Sequence, residues 1–207
     1  MELIGELQRF AEQLGNAPGI ANFTAAPSGW RLGRVDSLPV LRQFLERYYT
    51  RILVACELPA IFQAYEHAHR SELRELIAVD RKVGREASFR EFSGASQYVG
   101  TAQLKRLRPL RDQRLVQRYL GAVEKGEAYG WHTIVYGLIL AVYSLPLRQG
   151  LVSFGEQTVH GFIKGAKFSL ELPAEKSRQL HDEVCARLPE AVDAHVKNHS
   201  PQNLPAQ

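Results

Sequence analysis

The segment "AYGWHTIVYGLILAVYSLPL", Ala128 to Leu147, holds no Asp, Glu, Lys or Arg, although Glu127 and Arg148 stand at its two ends. A chain can accommodate such a stretch in lipid, which takes roughly 20 predominantly apolar residues. It can also place it at the centre of a soluble fold, covered by neighbours on every side. The composition of the stretch favours the second. Its apolar run proper spans Thr133 to Val142, is interrupted by Tyr136 and Gly137, and breaks at Leu145-Pro146. Trp131 and Tyr143 imitate an aromatic belt, yet no second span follows and the flanking segments are amphipathic. The stretch is expected to be the central helix of a soluble protein, with no membrane contact.

Helical periodicity runs through most of the remaining chain. Leu3, Leu7, Phe10, Ala11 and Leu14 share one face of a first helix, closed by Gly15-Asn16. Residues 16–35 carry Pro18, Pro27, Gly19, Gly29 and Gly33 and read as a long irregular loop, a kind that is usually functional or mobile. Ser37 is placed to cap the next helix, with Pro39 in its first turn and Leu41, Phe44, Leu45, Tyr48 and Ile52 as its stripe. Pro59 starts or kinks a helix that runs to about His69, and Ser71 is expected to cap the one bearing Leu73, Leu76, Ile77 and Val83. "REASFREFSGASQYVGTAQLKRL" reads as a helix with small residues at Ala87, Ser88, Gly94, Ala95 and Gly100. Gly inside a helix costs about 1 kcal/mol against Ala, and close helix–helix approach is a reason to bear that cost.

Arg108-Pro109 breaks the chain again, and Leu115, Tyr119, Leu120 and Val123 mark a helix ending near Gly126. Pro146 opens a long helix through about Lys167, Leu172-Pro173 stops it, and two short helices near 174–187 and 189–198 lead to a polar tail at 200–207. No strand-like alternation is present. The expectation is an all-α fold, a single compact helical bundle of roughly eight to ten helices in one domain over 1–207.

The chemistry of the residues narrows the function. A net charge of +4 permits acidic partners without requiring nucleic acid. Cys56 and Cys185 form no CxxC and read as reduced, cytoplasmic thiols. "MELIGELQRF" has acids early and no basic region before an apolar core, so it does not read as a secretory leader. Phosphate-binding Gly-rich loops, the nucleophile elbow and HExxH are absent from the sequence.

Metal ligation is weakly supported. Glu66, His67 and His69 supply one Glu-x-x-His, whereas dimetal bundles need two with further Glu on facing helices. His195 and His199 stand at i,i+4, and a solvated helix end explains them as well. No metal site and no tightly bound cofactor is expected.

Three places remain as candidates. "KRLRPLRDQR" gathers Lys105, Arg106, Arg108, Arg111 and Arg114 around Asp112, with Arg118 following. It reads as a docking patch for an acidic partner or as a solvated corner. Interleaved aromatics are missing, which disfavours single-stranded nucleic acid. His132 lies in the charge-free stretch with Tyr136 nearby. An imidazole there needs a buried partner, because unpaired burial is costly. Lys167 in "HGFIKGAKFSL" either snorkels to water or makes a specific contact. These features favour a binding or assembly role over an enzyme. A helical-bundle enzyme with a small pocket around His132 is the competing reading.

Several segments together resemble the urease accessory protein F family. The likeness begins in "DSLPVLRQFLERYYTRILVACELPAIFQAYEHAHRSELRELIAVDRKVGREAS", with its Leu58-Pro59 turn. It continues through Ser88, Ser96 and Gly100, through His132, Tyr136 and Gly137 with the following "SLPL", and through "VHGFIKGAKFSLELP". It spans about Val35 to Leu180. In the N-terminal part only Pro18, Gly19 and Phe23 keep the family arrangement, and the Gly-Gln that commonly follows Leu172-Pro173 is missing.

The resemblance implies a cytoplasmic, homodimeric nickel-insertion chaperone of urease. It would bridge a scaffold accessory protein (D or H) and the GTPase accessory protein G during loading of apo-urease, with nickel in transit. On the residues themselves, Lys167, Lys105, Arg106, Arg108 and Arg111 are the candidate partner contacts, and His132 and Tyr136 the candidate buried polar or ion-path residues. An adaptor of the same fold serving a non-urease assembly is the alternative.

Overall fold

The computed structural model describes residues 35–86 and 93–199. The expected first helix around Leu3–Leu14, residues 16–34 of the irregular loop, Ala87, Ser88 and the tail 200–207 lie outside the described residues.

A helical run without a break opens the described chain: α1 (Leu38–Tyr48), a π-helical segment (Tyr49–Glu57) and α2 (Leu58–His69). Ser37 stands at the N-cap of α1 and contributes its backbone carbonyl, which accepts from Leu41 N at 2.9 Å, while its side chain makes no capping bond. The π segment has a local cause. Pro59 has no N–H, and its ring crowds the carbonyl four residues back. The wider π turn relieves that conflict, with Leu58 N–H bonding to Leu53 O, five residues back. The wider turn also carries Glu57 inward, onto the face that buries Tyr48, Ile52 and Leu53.

After α2 come α3 (Leu73–Val83), α4 (Ser93–Arg106), α5 (Arg114–Glu124), α6 (His132–Val142), α7 (Leu147–Leu170), α8 (Ala174–Cys185) and α9 (Leu188–His199). No strand occurs among the described residues. With helices that run into one another joined, the described chain holds seven, slightly fewer than the sequence suggested. The N-cap of α3 is Glu72 and not Ser71. Ser71 sits in the left-handed region at φ 60 and makes the sharp turn that reverses the chain after α2.

The uncharged stretch is the centre of the molecule. Ten of the eleven residues of α6 are buried. The helix is about 16 Å long at 1.5 Å per residue, far short of a hydrocarbon core about 30 Å thick. No helix among the described residues is long and apolar enough to cross a membrane.

Two glycines let neighbours come close to α6. A Cβ on Gly137 would stand 2.5 Å from Ile61 O of α2, and one on Gly100 of α4 would stand 2.2 Å from Gly130 O. On the other side α7 joins the same core. Its Phe162 meets Phe44 and Tyr48 edge-on, with centroids 4.9 and 4.7 Å apart. Burying an aromatic of this kind stabilises by roughly 1.5–3 kcal/mol. Exposed ion pairs, Arg148–Asp193 at 2.5 Å, Arg187–Glu46 at 2.7 Å and Arg42–Glu183 at 2.8 Å, stitch α8 and α9 to α1 and the start of α7. Exposed pairs of this kind add little to stability, because water and salt screen them.

Candidate functional site

The basic corner is a formed turn. α4 ends in Lys105 and Arg106, where helix-dipole carbonyls favour positive charge. The chain then closes on itself through Leu107 N to Leu104 O at 3.1 Å, Leu110 N to Leu107 O at 2.9 Å and Gln113 N to Leu110 O at 3.1 Å. Leu107 is buried beneath the turn. From α5, the Gln117 side-chain amide donates back to Leu110 O at 2.9 Å and Arg108 O at 3.2 Å. Arg108 pairs with Glu124 on α5. The structure therefore gathers Lys105, Arg106, Arg108 and Arg111, with Arg114 and Arg118, on one helix–turn–helix corner, and all six are exposed. Asp112 and Glu124 offset part of that charge, and the balance is positive.

His132 and Tyr136 are one turn apart on α6, with ring centroids 5.9 Å apart. Phe154 of α7 packs against both, at 5.5 and 5.1 Å. The Tyr136 hydroxyl donates to Gly150 O at 3.0 Å, and burial pushes its pKa well up. His132 has no exposed surface, and neither ring nitrogen makes a hydrogen bond. Only its backbone N–H is engaged, donating to Ser96 Oγ at 3.1 Å. The sequence argument required a polar partner for this imidazole, and the ring is instead enclosed by aromatics. Burial lowers its pKa to about 3, so it is neutral at physiological pH.

The other candidates are placed as follows. Lys167 belongs to α7, and its side chain lies outside the described residues, as does that of His199. His67 Nδ1 meets Glu72 at 2.7 Å, and His69 stacks on Tyr65. His195 sits edge-on to Phe62. Among the described residues no group of three or more His, Cys, Asp or Glu is placed to hold a metal ion.

Two buried acids were missed by the sequence reading. Asp80 on α3 has no exposed surface and accepts from Tyr119 Oη at 2.7 Å, Tyr129 N at 2.6 Å and Gly130 N at 3.0 Å. It clamps α5 and the entry to α6 onto α3. Burial raises its pKa, and these hydrogen bonds oppose the rise. Glu57 accepts from the Tyr48 hydroxyl at 2.5 Å inside the core, and burial pushes its carboxyl up to about 7. The signal available in the sequence was an Asp lying on the stripe Leu76, Val79, Val83, one position after Val79. An acid on an apolar face needs partners.

The sequence that builds these elements matches a known family. The family model named UreF matches residues 38–166. The chain belongs to the UreF family. The match runs from the first residue of α1 into the last turns of α7, a shorter span than Val35 to Leu180. It includes the basic corner, Asp80, His132 and Tyr136, and it ends one residue before Lys167. Membership places the chain among urease accessory proteins, a family of accessory and not catalytic proteins. Comparison with curated proteins finds no match.

Proposed function

We propose that this UreF-family chain bridges a scaffold accessory protein, D or H, to the GTPase accessory protein G while nickel is loaded into apo-urease. The observation that carries the reading is the family match across α1 to α7, more than half of the chain. The protein contributes surfaces. The corner of Lys105, Arg106, Arg108 and Arg111 is pinned by Gln117 before any partner arrives, so docking there costs little ordering of the backbone. Lys167 extends the partner surface, nickel is cargo in transit, and the working form is a cytoplasmic homodimer.

The test is co-purification of the full chain with accessory proteins D, H and G at low salt. The expected result is a complex with the scaffold protein and with G, weakened by charge reversal at the corner. Absence of any complex with all of them would overturn the reading.

A further inference from the structure

α8 begins directly after Leu172-Pro173 and folds back along α7. Between the two helices lies a cavity of about 400 Å³. His160 and Lys164, one turn apart, line it from α7, and Ser177, Arg178 and His181 line it from α8, over an apolar floor of Ile163 and Ala174. No carboxylate is among these lining residues. The two imidazoles meet edge to face with centroids 6.1 Å apart. His181 is held by Glu156 O and Asp182, each at 3.3 Å, and the Ser177 hydroxyl donates to Pro173 O at 3.1 Å. Arg178 faces Glu175 at 3.8 Å, and both are largely exposed. A pair at that exposure is weakly held, so another carboxylate can exchange for Glu175.

The combination selects a ligand class. Lys164 and Arg178 supply positive charge, and Ile163 with Ala174 supplies a surface for methylenes. A bare inorganic anion would use the cations and leave the apolar floor uncovered. A Glu side chain uses both. We propose that this cavity is a docking pocket for an acidic side chain on a surface segment of a partner protein. Lys164 and Arg178 grip the carboxylate, and Ile163 and Ala174 seat the methylenes. The proposal rests on the accessory-protein reading only in taking the partner to be a protein. It adds a second contact, on the α7–α8 face, to the one at the basic corner.

The experiment titrates the full chain with a fluorescently labelled Glu-rich peptide, capped at both ends, and with its Gln-for-Glu counterpart. The wild type should bind the first and not the second. Lys164→Ala and Arg178→Ala should each weaken binding about fivefold to tenfold, as expected for loss of a charge-assisted contact, with circular dichroism unchanged. In the background of the double variant Lys105→Glu with Arg111→Glu, which removes peptide held at the basic corner, the Lys164→Ala and Arg178→Ala losses should persist. Equal binding by wild type and Arg178→Ala would overturn the pocket, as would loss of binding only in the corner variant. Displacement of the peptide by equimolar inorganic phosphate would overturn it in favour of a phosphate site. Co-purification with accessory proteins D, H and G reads the broader function separately and can succeed where the peptide fails.

Discussion

Gly137 lies so close to Ile61 that a methyl group on its Cα would stand 2.5 Å from the Ile61 carbonyl oxygen and 2.8 Å from Ala64 Cβ. Both neighbours belong to a packed helix and neither can rotate away. Gly137→Ala should therefore destabilise by about 1–3 kcal/mol or more, and Gly100→Ala, which meets Gly130 O at 2.2 Å and His132 N at 2.6 Å, by at least as much. Gly121 on α5 is the control, because a Cβ there meets nothing within 4 Å. Gly121→Ala should stabilise by about 0.5–1 kcal/mol through helix propensity. Denaturant melts of the three variants give the sign in each case. A neutral Gly137→Ala would show that the α2–α6 contact is looser than described.

Asp80 joins three elements, so its removal should be felt at a distance. Asp80→Ala leaves the Tyr119 hydroxyl and the Tyr129 and Gly130 amides without their acceptor. Each such loss costs about 1–3 kcal/mol, and the variant is expected to lose on the order of 3–5 kcal/mol in total. Hydrogen exchange at residues 129–131 should accelerate before that of α6 itself. Protection unchanged at those amides would mean that the turn is held by other contacts.

Most of the architecture was legible because it rests on local rules. The α6 stretch announced itself by lacking charge, Pro59 and Pro146 sit at or beside helix starts, and Gly84 caps α3 where it was expected to end it. Two features depended on packing between distant segments and left weaker traces. Asp80 was invisible as a clamp because its donors lie 39 to 50 residues away. The cavity between α7 and α8 was invisible because His160 and His181 meet only after the Leu172-Pro173 reversal. His132 was found for a sound reason and its environment was misjudged. By staying neutral His132 is spared the larger cost of a buried charge, while its ring N–H and lone pair still bear the smaller cost of unpaired burial.

The basic corner should act on partner binding and not on folding. Lys105→Glu with Arg111→Glu places two reversed charges on an exposed turn, so the melting temperature should change little. Association with an acidic partner should fall mainly through a slower on-rate, with the difference between wild type and variant shrinking as salt rises. Stopped-flow association at two ionic strengths measures this. Equal rates for wild type and variant at low salt would remove the corner from the interface. Lys167→Ala, tested in the same way, should weaken assembly while leaving the monomer folded.

The last prediction comes from two buried groups whose titrations oppose each other. His132 falls from 6.5 to about 3 on folding, so the unfolded chain binds its proton first. Its stabilising contribution is lost as the pH drops below 6.5. Glu57 rises from 4.5 to about 7, so the folded chain holds its proton longer. Its contribution is lost as the pH climbs from 4.5 towards 7. Between about 4.5 and 6.5 the two slopes have opposite signs and nearly cancel. Each variant should expose the other partner's slope. Glu57→Gln, which keeps an acceptor for the Tyr48 hydroxyl, should lose stability relative to wild type as the pH falls through that window. His132→Leu should gain relative to wild type over the same range. Each difference should reach on the order of 2–3 kcal/mol across the window. Because the readout is a slope, any constant cost of repacking drops out. Urea melts at intervals from pH 4.5 to 7.5 decide the matter, and curves parallel to wild type for both variants would show that neither group titrates differently in the folded chain.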